Sequence, residues 1–150
     1  MSMIVNRRDL DFVLYETLDL ERILESDRYA DYDRESLDAM MDLCQTIAED
    51  QFLPCAAKLD ANEPQFVDGR VETISELKEA IGAYQEAGLC ASAYDLDVGG
   101  MQLPWMMDQA LNGMFVCANN PAHIYLFLTQ GVANMLYACG SDELKRKYLP

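Results

Sequence analysis

The chain has 150 residues, 51% of them hydrophobic, and a formal net charge of −15 at pH 7. This length allows one domain with a real core, and the composition is that of a globular protein rather than a disordered one. Because an acidic surface repels phosphate backbones, the charge argues against a nucleic-acid partner and is explained most simply as a solubilising surface.

The first half of the chain shows a helical pattern with few interruptions. Apolar residues recur among acids in "DLDFVLYETLDLERIL" (9–24), which predicts one or two short amphipathic helices. Asp33 is a candidate N-cap for a helical run over 34–60, where apolar residues return at three- and four-residue steps. Pro54 falls inside this run and predicts a kink or a break. A connector with a turn at Asp68-Gly69 comes after it.

The second half continues in the same way. A helix is predicted over 73–87 with Gly88 at its C-terminal end, and residues 93–104 form a loop. Two further helices, 104–117 and 122–138, are separated by Asn119-Asn120-Pro121 and are expected to pack together. Ser141 is the candidate cap of a last short helix. The predicted fold class is all-α, a helical bundle.

Residues 109–141 contain no Asp, Glu, Lys or Arg. Polar residues, glycine and proline divide this stretch into apolar runs that are shorter than the roughly 20 residues of a membrane helix, so no membrane insertion is predicted. The favoured interpretation is a helix pair that is buried on most sides. In a domain of this size, part of that cover is expected to come from protein outside this chain.

Motifs for chemistry are few. The five cysteines are odd in number and contain no Cys-x-x-Cys, so neither a zinc site nor a disulfide framework is predicted, and a reducing compartment such as the cytoplasm is expected. The apolar stretch at the N-terminus is too short for a signal-peptide core. "DVGG" (97–100) is interpreted as a glycine turn, because no Lys-Ser/Thr pair comes after it. His123, the single histidine, is expected to fill a helix contact or line a pocket without binding metal, and no acid lies in an obviously desolvated sequence context.

Two segments carry a family resemblance. "EAGLCASAYDLDVGGMQLP" (86–104) and "CANNPAHIYLFLTQGVANMLYACGSDELKRKYLP" (117–150) resemble the acyl-CoA dehydrogenase family, most specifically at Gly99-Gly100 with Pro104 and over 140–150. Residues 95–98 depart from the Pro-Glu-Glu-Tyr-like lead-in that is common in the family. "RRDLDFVLYETLDLERIL" and "QFVDGRVE" are similar to its longer branch, which includes enzymes like 3-methylmercaptopropionyl-CoA dehydrogenase. The resemblance covers essentially the whole chain.

The resemblance implies an N-terminal helical domain over 36–150, preceded by a family-specific helical extension over 1–35. The β-domain and the C-terminal helical domain of the family, which carry most of the FAD site and the glutamate that removes the α-proton, are expected to lie beyond this chain. The implied reaction is FAD-dependent oxidation of acyl-CoA to trans-2-enoyl-CoA in fatty acid β-oxidation. Electrons pass to an electron-transferring flavoprotein or an equivalent acceptor, and the full-length protein is expected to be a homo-oligomer. The chain alone is expected to hold no catalytic, FAD-binding or metal-binding residue and to be inactive.

By the same resemblance, one face of helix 122–138 forms part of the wall of the acyl pocket. The substrate-binding residues implied on this face are His123, Phe127, Gln130, Gly131 and Asn134. Bulk at Phe127 would shorten the cavity, and Gly131 would deepen it. Two alternatives stay open: the face packs only on the rest of its own domain, or the chain is a non-enzymatic helical interaction module that uses the uncharged 109–141 face.

Overall fold

The computed structural model describes residues 2–149; the role of Pro150 in the resemblance lies outside them. The described part is almost entirely helical, which confirms the predicted all-α class. Its α-helices are α1 (Arg7–Asp11), α2 (Leu20–Leu24), α3 (Arg34–Ile47), α4 (Ala56–Ala61), α5 (Ser75–Glu86), α6 (Trp105–Cys139) and α7 (Asp142–Tyr148). A π-helical segment, Phe12–Thr17, joins the first two, so the short helices predicted within 9–24 are present but meet through an irregular turn.

The connector contains two short strands that were not predicted. β1 (Gln65–Val67) pairs with β2 (Arg70–Glu72) as an antiparallel hairpin, with Phe66 opposite Val71. Asp68 and Gly69 both have positive φ, 48° and 79°, as the tight turns of two-residue hairpins require. The predicted turn is therefore confirmed, and it closes a hairpin because residues that favour strands flank it on both sides.

The 34–60 region is capped and broken as predicted. The Asp33 side chain accepts a hydrogen bond from the Ser36 amide at 2.8 Å, in a capping box that starts α3. After Ile47 the helix widens to a π-helical segment, Ala48–Phe52, and then tightens to a 3₁₀ turn, Leu53–Cys55, before α4 begins. Pro54 explains this irregularity, since it cannot donate the backbone hydrogen bond of a regular helix.

Three aromatic rings mark the centre of the core. Phe52, Tyr84 and Phe115 are buried, with ring centroids 5.0 Å apart for Phe52–Phe115 and 4.9 Å for Tyr84–Phe115 in edge-on arrangements. They join the π-helical segment Ala48–Phe52, α5 and the first half of α6. Since aromatic pairs of this geometry add about 0.5–1.5 kcal/mol beyond the burial of their area, this cluster anchors the three elements to one another.

The break at Asn119 turns α6 into two halves. Asn119 has non-helical dihedrals, φ −161° and ψ 86°, although the helix continues on both sides. Its side-chain oxygen accepts from the Ala122 amide at 3.1 Å, and its amide donates to the Phe52 carbonyl at 3.0 Å. Asn119 therefore caps the second half as an N-cap would, and Pro121 fits the first turn, where no backbone donor is needed. The predicted interruption is confirmed.

The loop before α6 is held by its own backbone. Gly99 adopts a left-handed conformation with φ 84°, while Gly100 lies so close to the Tyr94 carbonyl that any side chain at position 100 would clash. Backbone bonds from Met101 to Ala91 and from Leu103 to Ser92 tie the two sides of the loop together. The glycine-turn interpretation of "DVGG" is therefore confirmed. The loop places Tyr94 beside the second half of α6, and Ser92, just before the loop, contacts Asp108 in the first half.

Candidate functional site

A cavity of about 570 Å³ lies between the 90–94 segment and the two halves of α6. Its size falls within the range of small-molecule sites. Both halves of α6 contribute because the break at Asn119 brings them to the same space. The lining residues are Cys90, Ser92, Ala93, Tyr94, Trp105, Asp108, Gln109, Asn112, Gly113, Val116, Cys117, His123, Phe127, Gln130, Gly131 and Asn134.

All five residues implied by the resemblance line this one cavity. His123 is buried and Gln130 half-buried, whereas Phe127 is 62% exposed and Asn134 is also partly open to solvent. A Cβ added at Gly131 would meet no atom within 4 Å, so the space beside this glycine is open. The structure thus brings the five side chains together; their role in binding an acyl group stays a prediction.

The buried end of the cavity carries a carboxylate. Asp108 is only 4% exposed, and its Oδ1 accepts a short hydrogen bond from the Ser92 hydroxyl. Its Oδ2 accepts from Asn112 Nδ2 at 3.2 Å and from Gln109 Nε2 at 3.0 Å. Asp108 also lies in the first turn of α6, where the helix dipole favours negative charge. Neutral donors and the dipole together make this buried charge tolerable.

Further polar groups fix the orientation of this end. Tyr84 donates from its hydroxyl to Asn112 Oδ1 at 3.0 Å, and His123 Nε2 lies 3.1 Å from the same oxygen. Gln130 in turn donates from Nε2 to the Tyr84 hydroxyl at 3.3 Å. The expectation that His123 fills a helix contact or lines a pocket is confirmed on both counts, because it bridges the two halves of α6 at the cavity wall.

Burial shifts the pKa values of two of these groups. It lowers the pKa of His123 below its usual 6.5, and the neighbouring Asp108 opposes this shift only in part. Burial also raises the pKa of Tyr84 far above its usual range, and the charge of Asp108 adds to that effect. Near neutral pH the imidazole and the phenol are therefore both uncharged, and the charge at this end of the cavity is that of the carboxylate.

The far side of the cavity is clamped to the loop. Tyr94 donates to Asn134 Oδ1 at 2.8 Å, and its ring stacks on Tyr137 with centroids 5.2 Å apart. Asp95 accepts short hydrogen bonds from the Tyr137 hydroxyl and from Arg28. The second half of α6 is thus held to the glycine loop through side chains, which fixes the width of the cavity.

Beyond the cavity, the second half of α6 leaves apolar side chains exposed. The first half of the uncharged helix pair buries its core-facing side within this chain, whereas the second half is largely exposed; that protein outside this chain covers it stays a prediction. The exposed fractions are 46% for Ile124, 64% for Leu128, 55% for Val132 and 60% for Met135. Contiguous exposed apolar side chains of this kind mark contact surfaces.

The acid at the cavity end was not predicted from the sequence. No acid stands in an obviously desolvated sequence context, yet Asp108 is buried in the structure. Helical spacing could have indicated the burial of Asp108. Met107 and Leu111, on either side of it in the sequence, are buried, and Asn112 lies one turn after it. Ser92, by contrast, contacts the carboxylate because of the path that the loop takes. Helical periodicity in the sequence does not predict that path.

Comparison with known proteins gives the family. The family model described as "Acyl-CoA dehydrogenase, N-terminal domain" matches residues 34–150. The chain belongs to the acyl-CoA dehydrogenase family. It is 28% identical over 149 residues to a butyryl-CoA dehydrogenase of Syntrophomonas wolfei, a match that covers 95% of this chain and 24% of that protein. A second butyryl-CoA dehydrogenase of the same organism is 30% identical over 148 residues, with 95% and 24% covered.

A third relative comes from another organism. The broad-specificity linear acyl-CoA dehydrogenase FadE5 of Mycobacterium tuberculosis is 28% identical over 144 residues, which is 94% of this chain and 23% of that protein. The chain therefore spans about a quarter of the length of the curated relatives it matches.

The cavity itself suits a hydrocarbon chain better than a phosphate group. Its lining residues include no Lys or Arg, and its buried end is negatively charged through Asp108. The pyrophosphate of FAD and the phosphates of CoA need cationic or backbone N–H donors. The residues of this cavity do not fit either phosphate group.

Within residues 2–149, none of the helices combines the length and apolar character needed to cross a membrane. The same residues contain no group of three or more His, Cys, Asp or Glu side chains placed to hold a metal ion.

Proposed function

We propose that this chain supplies part of the acyl-pocket wall of an FAD-dependent acyl-CoA dehydrogenase that oxidises acyl-CoA to trans-2-enoyl-CoA. The observation that carries the proposal is the cavity: the five residues that the family resemblance implies all line one space of about 570 Å³. Its uncharged wall along the second half of α6 gives an alkyl chain the contacts it needs, at about 0.8 kcal/mol for each methylene buried.

The rest of the catalytic apparatus belongs to the full-length protein. We assign FAD to parts of the protein outside these 150 residues because the cavity lining holds no phosphate-binding group. The catalytic base is assigned outside them because the family resemblance implies it in another domain. Electrons then pass to an electron-transferring flavoprotein or an equivalent acceptor, and the protein acts as a homo-oligomer. The exposed apolar side chains of α6 are the surface against which those other parts pack.

A test compares the full-length protein with variants at Phe127 and Phe66. Both phenylalanines are exposed, but only Phe127 lines the cavity, while Phe66 lies on the hairpin. We expect the flavin-loaded protein to oxidise butyryl-, hexanoyl- or octanoyl-CoA in a dye-reduction assay. Phe127→Ala should shift the preference toward longer acyl chains, because removing the ring lengthens the cavity, and Phe66→Ala should leave it unchanged. A flavin-loaded protein that reduces no dye with any acyl-CoA refutes the proposal.

The chain by itself should be colourless and inactive. We expect purified residues 1–150 to bind no FAD tightly and to reduce no dye. A yellow, active preparation of the chain would contradict the assignment of flavin and base to other parts of the protein.

One observation favours a second function, a helical interaction module without enzymatic activity. The exposed apolar residues of α6 fall within the uncharged 109–141 region, and such a surface binds other proteins. The two functions differ in the flavin content expected of the full-length protein. A flavin-loaded full-length protein supports the enzyme, whereas a flavin-free one that still binds a partner through Leu128 and Val132 supports the module.

A further inference from the structure

The carboxylate of Asp108 is a feature that an acyl pocket for a plain alkyl chain does not need. Burying an ionised carboxylate is costly unless it is paired, and a hydrophobic side chain of similar volume would line such a pocket without that cost. Yet Asp108 lies at the cavity wall with 4% of its surface exposed. Within residues 2–149, the ion pairs do not include it, so no Lys or Arg neutralises its charge.

The hydrogen bonds of Asp108 leave capacity for one more donor. A carboxylate offers about four acceptor positions on its two oxygens. Three are filled by the neutral donors Ser92, Asn112 and Gln109. A further donor that arrives from the cavity would complete the set, and a cationic donor would also neutralise the charge.

The surrounding groups fix the orientation of the carboxylate but do not neutralise its charge. Tyr84 and His123 both contact Asn112 Oδ1 from different elements, and this orients the Asn112 amide so that its Nδ2 points at Asp108. His123 contributes no positive charge near neutral pH, because burial lowers its pKa. The carboxylate is thus presented to the cavity in a fixed orientation, which is the arrangement that recognition of a specific polar group requires.

The position of Asp108 says which part of a ligand it would meet. The hydrogen bonds around Asp108 extend through Asn112 and Tyr84 to His123 and Gln130, which line the cavity on the same face of α6 as Phe127 and Gly131. Phe127 and Gly131 are the residues proposed to set the length of the acyl chain, so the part of a ligand that meets Asp108 is the distal part of its chain. We propose that Asp108 is a specificity-determining residue that recognises a hydrogen-bond donor, a hydroxyl or an ammonium group, at the distal end of the bound acyl chain. This inference rests on the proposed function for the identity of the acyl chain.

The binding part of the proposal can be tested on residues 1–150, without flavin. Trp105 is the single tryptophan and lines the cavity, so its fluorescence reports on occupancy. The probes are hexylammonium, hexan-1-ol and hexanoate, which share a hydrocarbon chain and differ in their polar end. We expect saturable binding in the order hexylammonium, hexan-1-ol, hexanoate, from tightest to weakest. Hexanoate binding as tightly as hexylammonium, or no saturable response to any probe, overturns the proposal.

A matched pair of variants separates Asp108 from the general acidity of the protein. Asp108→Asn should weaken hexylammonium binding about tenfold, because it removes one charge-assisted hydrogen bond. Asp50→Asn makes the same chemical change at an exposed position outside the cavity and should leave the affinity unchanged. Equal losses in the two variants would assign the binding to surface charge. If Asp108→Asn does not fold, the order of the three probes on the unaltered chain can still overturn the proposal.

The full-length, flavin-loaded protein tests the same idea for catalysis. We expect kcat/KM to be about tenfold higher for ω-hydroxyhexanoyl-CoA or ω-aminohexanoyl-CoA than for heptanoyl-CoA, and the advantage to disappear in Asp108→Asn. If the ω-hydroxyl substrate has the higher kcat/KM, the recognised donor is neutral; if the ω-amino substrate does, the donor is charged. A preference for heptanoyl-CoA that Asp108→Asn leaves unaltered overturns the inference. If no acyl-CoA is oxidised at all, the proposed function fails, while the probe titrations of the chain still decide the role of Asp108.

Discussion

Replacing Gly131 with leucine tests the acyl pocket most directly. Gly131 lies in the second half of α6 and lines the cavity, and a Cβ at this position would meet no atom within 4 Å. The Cβ of Gly131→Leu therefore meets no clash, and the side chain starts at the wall of the cavity. Glycine is also a poor helix former, so leucine at this position should raise the intrinsic helix stability by about 0.8 kcal/mol. Loss of activity through unfolding is not expected.

The expected loss in kcat/KM for Gly131→Leu is calculated from the number of acyl-chain carbon atoms that the new side chain displaces. The added side chain occupies the room of about three methylene groups of the acyl chain, each worth about 0.8 kcal/mol of burial, or about 2.4 kcal/mol in total. At about 1.4 kcal/mol for a factor of ten, kcat/KM should fall roughly 50-fold for acyl chains long enough to reach position 131. Short chains that end before Gly131 lose little.

The assay is the chain-length profile of the full-length, flavin-loaded protein. We expect octanoyl-CoA oxidation by Gly131→Leu to fall roughly 50-fold relative to butyryl-CoA oxidation. Gly82→Leu is the matched control, because Gly82 lies in α5, also has no atom within 4 Å of an added Cβ, and does not line the cavity. An unchanged profile in Gly131→Leu, with normal folding and flavin content, would refute the reasoning and place Gly131 outside the acyl pocket.

Three further predictions concern the stability of the chain, each measured by urea unfolding. Gly100→Ala should lower the free energy of unfolding by about 2–3 kcal/mol, because the added methyl overlaps the Tyr94 carbonyl and the backbone must move. Tyr84→Phe should lower it by about 1–2 kcal/mol, since the buried hydroxyl donates to Asn112 and accepts from Gln130. The lowered pKa of His123 means that its imidazole binds more protons in the unfolded chain, so the contribution of His123 to stability should be full above pH 6.5 and be lost as the pH drops below it.

Each of these has a variant that isolates its cause. Gly82→Ala, in open helical space, should stabilise the chain by about 0.5–1 kcal/mol, and a similar gain in Gly100→Ala would contradict the clash. Tyr29→Phe, which removes a hydroxyl outside the core, should change stability little. A loss of stability in Tyr29→Phe equal to that in Tyr84→Phe would contradict the claim that the Tyr84 hydrogen bonds stabilise the chain. His123→Gln should flatten the pH dependence below about pH 6.5. An unaltered slope would show that other groups cause it.

The sequence alone predicted those features that depend on neighbours along the chain. The helical periods, the cap at Asp33 and the interruption at Asn119 through Pro121 arise from local backbone chemistry, and all appear in the structure. The break at Pro54 has the same origin. The helical face with His123, Phe127 and Gly131 could also be named in advance, because the spacing of a helix sets which residues share a face.

The tertiary structure alone decided what lies opposite that face. Asp108 is adjacent to the uncharged region in sequence, yet its burial depends on Ser92 from the loop and on the packing of α5 against α6. The hairpin at 65–72 formed because the turn and the residues that flank it act together, which a search for helical periods does not detect. Local periodicity determines which residues form an element and which face they share. The polarity of the space between elements is set by contacts between residues distant in sequence, and those arise only when the chain folds.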